Sequence, residues 1–221
     1  MSAIRGLYVV TPETSDTTAD QDRLLARAAL ALEGGASILQ YRSKSPGAAQ
    51  RQALAQGLLA LCRRHRAMFI VNDDVQLAAE VRADGVHLGR DDAEISAARA
   101  RLGPSALIGA SCYDDLGRGN AAVIAGADYL AFGSFFPSSV KPTAACPSLD
   151  VLRQARRRWR LPLVAIGGIT EDNAPQVIEA GADAVAVITA VFSASDPRGA
   201  AGAIARLFDH ELQGESPNVT I

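Results

Sequence analysis

Lysine is almost absent from this chain. Of 22 cationic residues in 221, only Lys44 and Lys141 are lysines, and each follows a short apolar run that reads as a strand end. Where arginine holds nearly every other basic position, a retained ammonium suits phosphate or pyrophosphate at a place where a planar guanidinium fork would not fit. The plainer reading is a leftover surface lysine. Cysteine is scarce as well: Cys62, Cys112 and Cys146 are odd in number, far apart and in no C-x-x-C pairing. That excludes a disulfide framework and a thiolate zinc site, and a reducing cytoplasm fits best. Residues Met1 to Arg5 show no basic region followed by an apolar stretch. No run approaches the roughly 18 apolar residues needed to cross a bilayer, so neither a signal nor a membrane anchor is expected. Charge excess is missing too. A formal net charge of -2 and a pI near 5.9 leave no global attraction to nucleic acid or an anionic membrane, so small molecules are the expected partners.

What is present suits one globular α/β domain. The chain is 48% hydrophobic and 21% charged, ample for a single core at this length. Residues 1–212 are assigned to that domain, and residues 213–221, with Gly, Pro, Ser and Asn, to a fraying tail.

A weak internal repeat carries the fold. Gly35-Ala36-Ser37-Ile38-Leu39, Ala83-Asp84-Gly85-Val86-His87-Leu88, Gly126-Ala127-Asp128-Tyr129-Leu130 and Gly181-Ala182-Asp183-Ala184-Val185 all read as a helix exit feeding a strand. Their alanines are spaced by 47, 44 and 55 residues, room for strand, helix, strand and helix before the pattern returns. Between them lie the apolar runs Leu7 to Val10, Met68 to Val71, Leu107 to Ala110 and Leu163 to Ile166, with helical patterns such as Leu24 to Leu32, Ala53 to Arg64 and Ala174 to Ala180. Eight alternations predict an α/β fold, a single (β/α)8 TIM barrel with its site at the C-terminal strand ends. A doubly wound open sheet is the alternative.

Polar residues cluster just after the expected strands. In the second, Ile38, Gln40, Arg42 and Lys44 alternate with Leu39, Tyr41 and Ser43, so one face turns an amide and two cations toward the barrel mouth while Leu39 and Tyr41 face the helices. An arginine paired to a rim carboxylate would explain Arg42 equally well. Asn72-Asp73-Asp74 ends the third strand, and Asp91-Asp92 follows the fourth. Carboxylates from two adjacent loops suit Mg²⁺ bridging to phosphate. Asp73 with Gln76 and Asp91 with Glu94 also have capping-box spacing. After the seventh strand, Gly167-Gly168-Ile169-Thr170 allows close approach of a phosphate, or makes an ordinary tight turn. The loop from Gly133 to Pro142 has hydroxyls, a lysine and no apolar periodicity, as expected of a segment covering a ligand.

Together these motifs resemble the thiamine phosphate synthases, from about Gly6 to Leu207: Gln-Tyr-Arg-x-Lys at Gln40 to Lys44, Asn-Asp-Asp at Asn72 to Asp74, His-Leu-Gly-x-x-Asp at His87 to Asp92, Ser111, the Pro137 to Lys141 loop, and Gly-Gly-Ile-Thr. The resemblance implies a (β/α)8 barrel that joins hydroxymethylpyrimidine pyrophosphate to hydroxyethylthiazole phosphate with Mg²⁺. It implies Asp73 and Asp92 as metal ligands. It implies a pyrimidine pyrophosphate site of Gln40, Tyr41, Arg42, Ser43, Lys44, Asn72, Ser111 and Lys141, with Arg42, Lys44, Ser111 and Lys141 acting on the leaving group. The thiazole phosphate would rest on Ser138, Ser139, Val140, Gly168, Ile188 and Thr189.

Such chemistry needs no general base. Loss of pyrophosphate leaves a stabilised carbocation that the thiazole nitrogen attacks, so the protein's contribution is electrostatic. Cys112, beside Ser111 with no activating base in the sequence, is expected to be a packed thiol. Two positions depart from the family pattern: Val140 replaces a usual threonine, and Arg90 a usual glutamine, either reaching the pyrophosphate or facing solvent. A thiazole tautomerase and a non-catalytic sensor of thiamine phosphates are the alternatives. The tautomerases use a histidine shortly after the position of Ser111, where Cys112 and Tyr113 stand here. The basic run Arg153 to Arg160 is read as a solvated face, with a homo-oligomer contact left open.

Overall fold

The computed structural model describes residues 4–15, 17–43, 47–90, 94–137 and 147–209. Strands β1 (Gly6–Val10), β2 (Ile38–Tyr41), β3 (Met68–Asn72), β4 (Gly85–Leu88), β5 (Leu107–Tyr113), β6 (Tyr129–Gly133), β7 (Leu163–Ile166) and β8 (Ala184–Val187) form one closed barrel in chain order. Every neighbouring pair is parallel, and β1 closes on β8 from Gly6↔Ala184 to Val9↔Val187. Around it run α1 (Thr18–Glu33), α2 (Ala48–His65), α3 (Val75–Val81), α4 (Ile95–Leu102), α5 (Leu116–Ile124), α6 (Asp150–Arg158), α7 (Ala174–Glu179), a short α8 (Thr189–Phe192) and α9 (Pro197–Ala205). The architecture is the expected (β/α)8 barrel, and the β1–β8 pairing excludes an open sheet. The expected tail, residues 213–221, lies outside the described residues. Among the described residues no helix is long and apolar enough to cross a membrane.

Strand alternation divides the apolar residues into two cores. In β1, Leu7 and Val9 pack outward under the helices, whereas Tyr8 and Val10 point into the barrel with Ile38, Ile70, Tyr129, Val164 and Ala186. The larger core lies between strands and helices, and the small inner one leaves the barrel's upper end open for a site.

The sequence repeat has a structural cause at the barrel's lower end. Asp84, Asp128 and Asp183 each accept a hydrogen bond from an amide at the start of a strand, the second residue of β3 (Phe69, 2.8 Å) and of β5 (Ile108, 2.7 Å) and the first of β7 (Leu163, 2.7 Å). Each is also held by an arginine of a preceding helix: Arg63 at 2.8 Å, Arg99 at 2.5 Å, and Arg156. An aspartate there satisfies an amide that would otherwise be left unpaired where helix turns into strand. In the first repeat Ser37 replaces the acid, and its hydroxyl donates to the carbonyls of Arg5 and Leu7. The basic run on α6 is accordingly more than a solvated face. Arg153 pairs with Asp150, Arg156 braces Asp183, and Arg158 lies over Trp159 at 5.7 Å.

Both capping boxes expected from spacing are displaced. Helix α3 is capped by Asp74, which accepts from the Leu77 amide at 2.9 Å, while Asp73 takes a left-handed φ of 62°. The Asp73 amide donates to the His87 carbonyl at 2.9 Å, tying the end of β3 to β4. Helix α4 begins at Ile95 with Glu94 at its N-cap and no side-chain cap bond, so Glu94 does not sit three positions inside a helix started by Asp91. Asp91 itself lies outside the described residues.

Candidate active site

At the C-terminal strand ends the barrel opens into a cavity of about 420 Å³, within the range of small-molecule sites. Its wall takes in Gln40 of β2 and Arg42 just beyond it, Asn72 at the end of β3, His87 of β4 and Ser111 of β5. Opposite them stand Gly167 and Gly168 after β7 and Ile188 and Thr189 after β8.

The cationic side is built by short-range contacts. Thr11, fully buried, receives the Arg42 amide at 2.9 Å on its Oγ1 and donates the hydroxyl to the Arg42 carbonyl at 3.2 Å. This fixes the backbone from which the Arg42 guanidinium reaches Glu13, 2.7 Å away, at the cavity rim. The rim ion pair considered for Arg42 therefore exists, yet the same side chain also lines the cavity, so the two readings are compatible. Arg90 lines the rim too, with its guanidinium 4.9 Å from the Tyr113 ring centre; Arg118 lies 5.6 Å from the same ring. Such stacking holds a cation in place without neutralising it.

Across the floor runs a continuous polar chain. Gln40 Nε2 donates to Tyr8 Oη at 2.7 Å, Tyr8 Oη and Tyr129 Oη are 3.0 Å apart, His87 Nδ1 is 3.1 Å from Tyr129 Oη, and His87 Nε2 is 2.9 Å from Ser111 Oγ. The His87 and Tyr129 rings stack with centres 5.5 Å apart. Burial pushes both phenols well above their ordinary range, so they remain protonated and neutral. Gly109 makes the arrangement sterically feasible, because a Cβ there would overlap the Tyr129 ring and hydroxyl.

On the far side, Gly167 and Gly168 have φ of 102° and 63°. Side chains at either position would collide with the segment from Ser134 to Pro137, so these glycines serve a tight packing turn and at the same time present bare backbone to the cavity. Asn173 secures the turn, donating to the Gly168 carbonyl at 3.0 Å and accepting from the Thr170 amide at 2.9 Å. Helix α8 opens at Thr189, and its carboxyl end is held by Arg27, which donates to the carbonyls of Phe192 (2.8 Å) and Ala194. A loop after β7 and a short extra helix after β8 are where barrels of this kind commonly hold a phosphate.

Of the residues expected at the site, Gln40, Arg42, Asn72, Ser111, Gly168, Ile188 and Thr189 are brought together around one cavity. Tyr41 is not: strand alternation turns its ring outward into the core beneath the helices, so its inclusion in the substrate site is corrected. Ser43, beyond the end of β2, does not line the cavity either. Asp73 adjoins the cavity residue Asn72 without lining the cavity itself. Lys44, Asp92, Ser138, Ser139, Val140 and Lys141 lie outside the described residues. Tyr8, Thr11 and Tyr129 were not singled out from sequence. An aromatic hydroxyl at an inward position of an otherwise aliphatic strand, as in Leu7-Tyr8-Val9-Val10, is the signal that marks the two tyrosines. Cys112 is buried, and burial pushes its thiol up to about 12, as expected of a packed and unreactive group.

The donor set agrees with Mg²⁺ in one respect. Asp74 takes the cap of α3, so Asp73 is not used for capping, and a carboxylate at this strand end matches the one or two that Mg²⁺ takes from protein. Among the described residues, no group of three or more His, Cys, Asp or Glu gathers as a metal cluster.

Comparison with known proteins adds to this geometry. The family profile described as thiamine monophosphate synthase matches residues 7–191. A thiamine-phosphate synthase of Thiobacillus denitrificans is 54% identical over 206 residues, covering 93% of this chain and 96% of that protein. One of Nitrosococcus oceani is 52% identical over 208 residues, covering 94% of each. Among solved structures, the thiamine phosphate pyrophosphorylase of Pyrococcus furiosus superposes with a TM-score of 0.84 at 36% identity, covering 96% of this chain and 98% of its own. With the family profile matching residues 7–191 and a relative 54% identical over 93% of this sequence, the chain belongs to the thiamine monophosphate synthase family.

Proposed function

We infer that the chain is a transferase of thiamine biosynthesis, a thiamine-phosphate synthase. It joins 4-amino-2-methyl-5-(diphosphooxymethyl)pyrimidine to 4-methyl-5-(2-phosphooxyethyl)thiazole, giving thiamine phosphate and pyrophosphate. The observation that carries the reading is that one cavity is lined by the cation-bearing wall of Gln40, Arg42, Asn72 and Ser111 and, facing it, by the backbone turn at Gly168 and the opening of α8 at Thr189. Two anionic substrates need two such walls, and their reacting carbons and nitrogen must meet between them.

The chain's own groups act by charge and position. Breaking the pyrimidine methylene C–O bond places negative charge on the departing pyrophosphate, which Arg42, Lys44 and Lys141 neutralise while Asn72 and Ser111 hydrogen-bond to it. The thiazole, held through its phosphate at Gly168, Ile188, Thr189 and the Ser138 to Val140 segment, presents its nitrogen lone pair to the carbocation. No proton has to be removed for the new C–N bond, which accords with a floor of neutral phenols and an unreactive Cys112. Asp73 and Asp92 would hold Mg²⁺, which when bound supplies further neutralisation of the pyrophosphate oxygens. The substrates are small molecules of the cytoplasm, and neither nucleic acid nor membrane is involved.

The test is formation of thiamine phosphate by the purified chain from both phosphorylated halves with Mg²⁺, beside an EDTA control. Product that disappears with EDTA supports the reading. No product, with the thiazole phosphate still bound, would leave a tautomerase or a sensor in its place.

A further inference from the structure

We propose that Gln40, Tyr8, Tyr129, His87 and Ser111 form a one-way hydrogen-bond chain that sets the polarity of the cavity at both ends, offering an acceptor at Gln40 Oε1 and a donor at Ser111 Oγ–H. The proposal rests on the function inferred above and deepens it, naming Tyr8, Tyr129 and His87 as positioning residues.

Direction follows from counting protons. The Gln40 amide spends a donor on Tyr8 at 2.7 Å, which leaves the Tyr8 proton for Tyr129, 3.0 Å away. Each phenol has a single proton to give. Tyr129 then donates onward to His87 Nδ1 at 3.1 Å, so the imidazole proton resides on Nε2 and goes to Ser111 Oγ at 2.9 Å. A serine oxygen that accepts from an imidazole turns its own proton elsewhere, and Ser111 lines the cavity. Gln40 lines the same cavity, and with Nε2 engaged by Tyr8 its Oε1 is the acceptor left for a ligand. The middle members are buried, so no water competes for these contacts, and a chain of this kind is polarised in one sense throughout.

Both ends then match the chemistry of one substrate. The exocyclic amine of the pyrimidine is a donor and requires an acceptor, which Gln40 Oε1 supplies. Pyrophosphate oxygens only accept, and Ser111 supplies the proton. The reverse chain would set amide N–H against amine N–H, and a serine lone pair against phosphate. A 4-oxo analogue of the pyrimidine pyrophosphate should therefore be rejected, because its oxygen would face Gln40 Oε1. By accepting from Gln40 Nε2, Tyr8 holds the amide in the sense that faces Oε1 to the substrate.

The deciding measurement is the tautomer of His87, read from long-range ¹H–¹⁵N correlations in ¹⁵N-histidine-labelled full-length protein. His87→Gln assigns the signal among those of His65, His87 and His210. A neutral ring protonated on Nε2 is expected; protonation on Nδ1, on both nitrogens, or an even mixture would overturn the proposal. A kinetic arm uses Tyr8→Phe. Its preference for the amino over the 4-oxo substrate should fall about tenfold, the equivalent of one hydrogen bond, with KM for the pyrimidine rising more than kcat falls. An unchanged preference would count against the chain. Should the wild-type protein make no thiamine phosphate, the inferred function fails, and the tautomer still decides the hydrogen-bond direction.

Discussion

Gly109→Ala tests whether the inner network is as tightly built as its geometry implies. A Cβ at this position would lie closer than 3.0 Å to two ring carbons and the hydroxyl of Tyr129. That ring is fully buried, with its hydroxyl fixed between Tyr8 at 3.0 Å and His87 at 3.1 Å, so it cannot yield without breaking at least one of these bonds. Overpacking costs about 1–3 kcal/mol, and a buried polar group stripped of its partner about 1–3 kcal/mol more. A loss near the middle of the combined range, about 4 kcal/mol, lowers the Tm of a chain of this size by roughly 10 °C. Thermal unfolding followed by circular dichroism measures it, with steady-state kinetics alongside. Gly103→Ala is the control: it carries backbone strain at φ 87° but meets no atom within 4 Å, and it sits at the end of α4 away from the cavity. The control should lose some stability and keep its KM values, whereas Gly109→Ala should lose both. A Gly109→Ala protein that melts within about 2 °C of wild type with wild-type KM would refute the reasoning.

Arg42→Ala should lower kcat/KM about 100-fold, as expected for removing a preorganised charge from a leaving group. Its Tm should move little, because the half-exposed pair with Glu13 contributes no more than about 1 kcal/mol; a change of less than threefold in kcat/KM would contradict the assigned role. Asp183→Ala, at the opposite end of the barrel, strands the Leu163 amide and removes the carboxylate partner of Arg156, which keeps its bonds to the Gly181 and Leu161 carbonyls, so urea unfolding should show a loss of about 1–3 kcal/mol with kinetics intact. Burial raises the Cys62 and Cys112 thiols from 9.0 to about 12, so the unfolded chain releases these protons first as pH rises. Stability present below pH 9 should then fall between pH 9 and about 12, by about 1.4 kcal/mol per pH unit for each thiol. In a Cys146→Ser background, iodoacetamide at pH 8 should label neither thiol until the protein is unfolded, and rapid native labelling would contradict their burial.

The fold was legible because barrel units repeat. Ala-Asp before three of the strands marks the amide that Asp84, Asp128 and Asp183 each satisfy, so the spacing of those residues reports strand positions directly. The ends of β2, β3 and β5 were legible for a related reason: Gln40, Asn72 and Ser111 are polar at inward positions of buried strands, which packing alone does not call for. Capping was less so. Sequence spacing cannot tell Asp73 from Asp74, and the choice was made by the left-handed turn at Asp73. Tyr8 and Tyr129 escaped notice because a tyrosine within an apolar run packs like any aromatic. Their hydroxyls acquire partners only when strands distant in sequence, β1 and β6, meet inside the closed barrel.

The most direct test of the site is a crystal structure with thiamine phosphate and Mg²⁺-pyrophosphate bound. The account predicts the aminopyrimidine against Gln40, pyrophosphate among Arg42, Asn72 and Ser111, and the product's phosphate at the Gly168 turn beside Thr189. Product bound in the opposite sense, with its phosphate at Arg42, or bound outside this cavity, would contradict it.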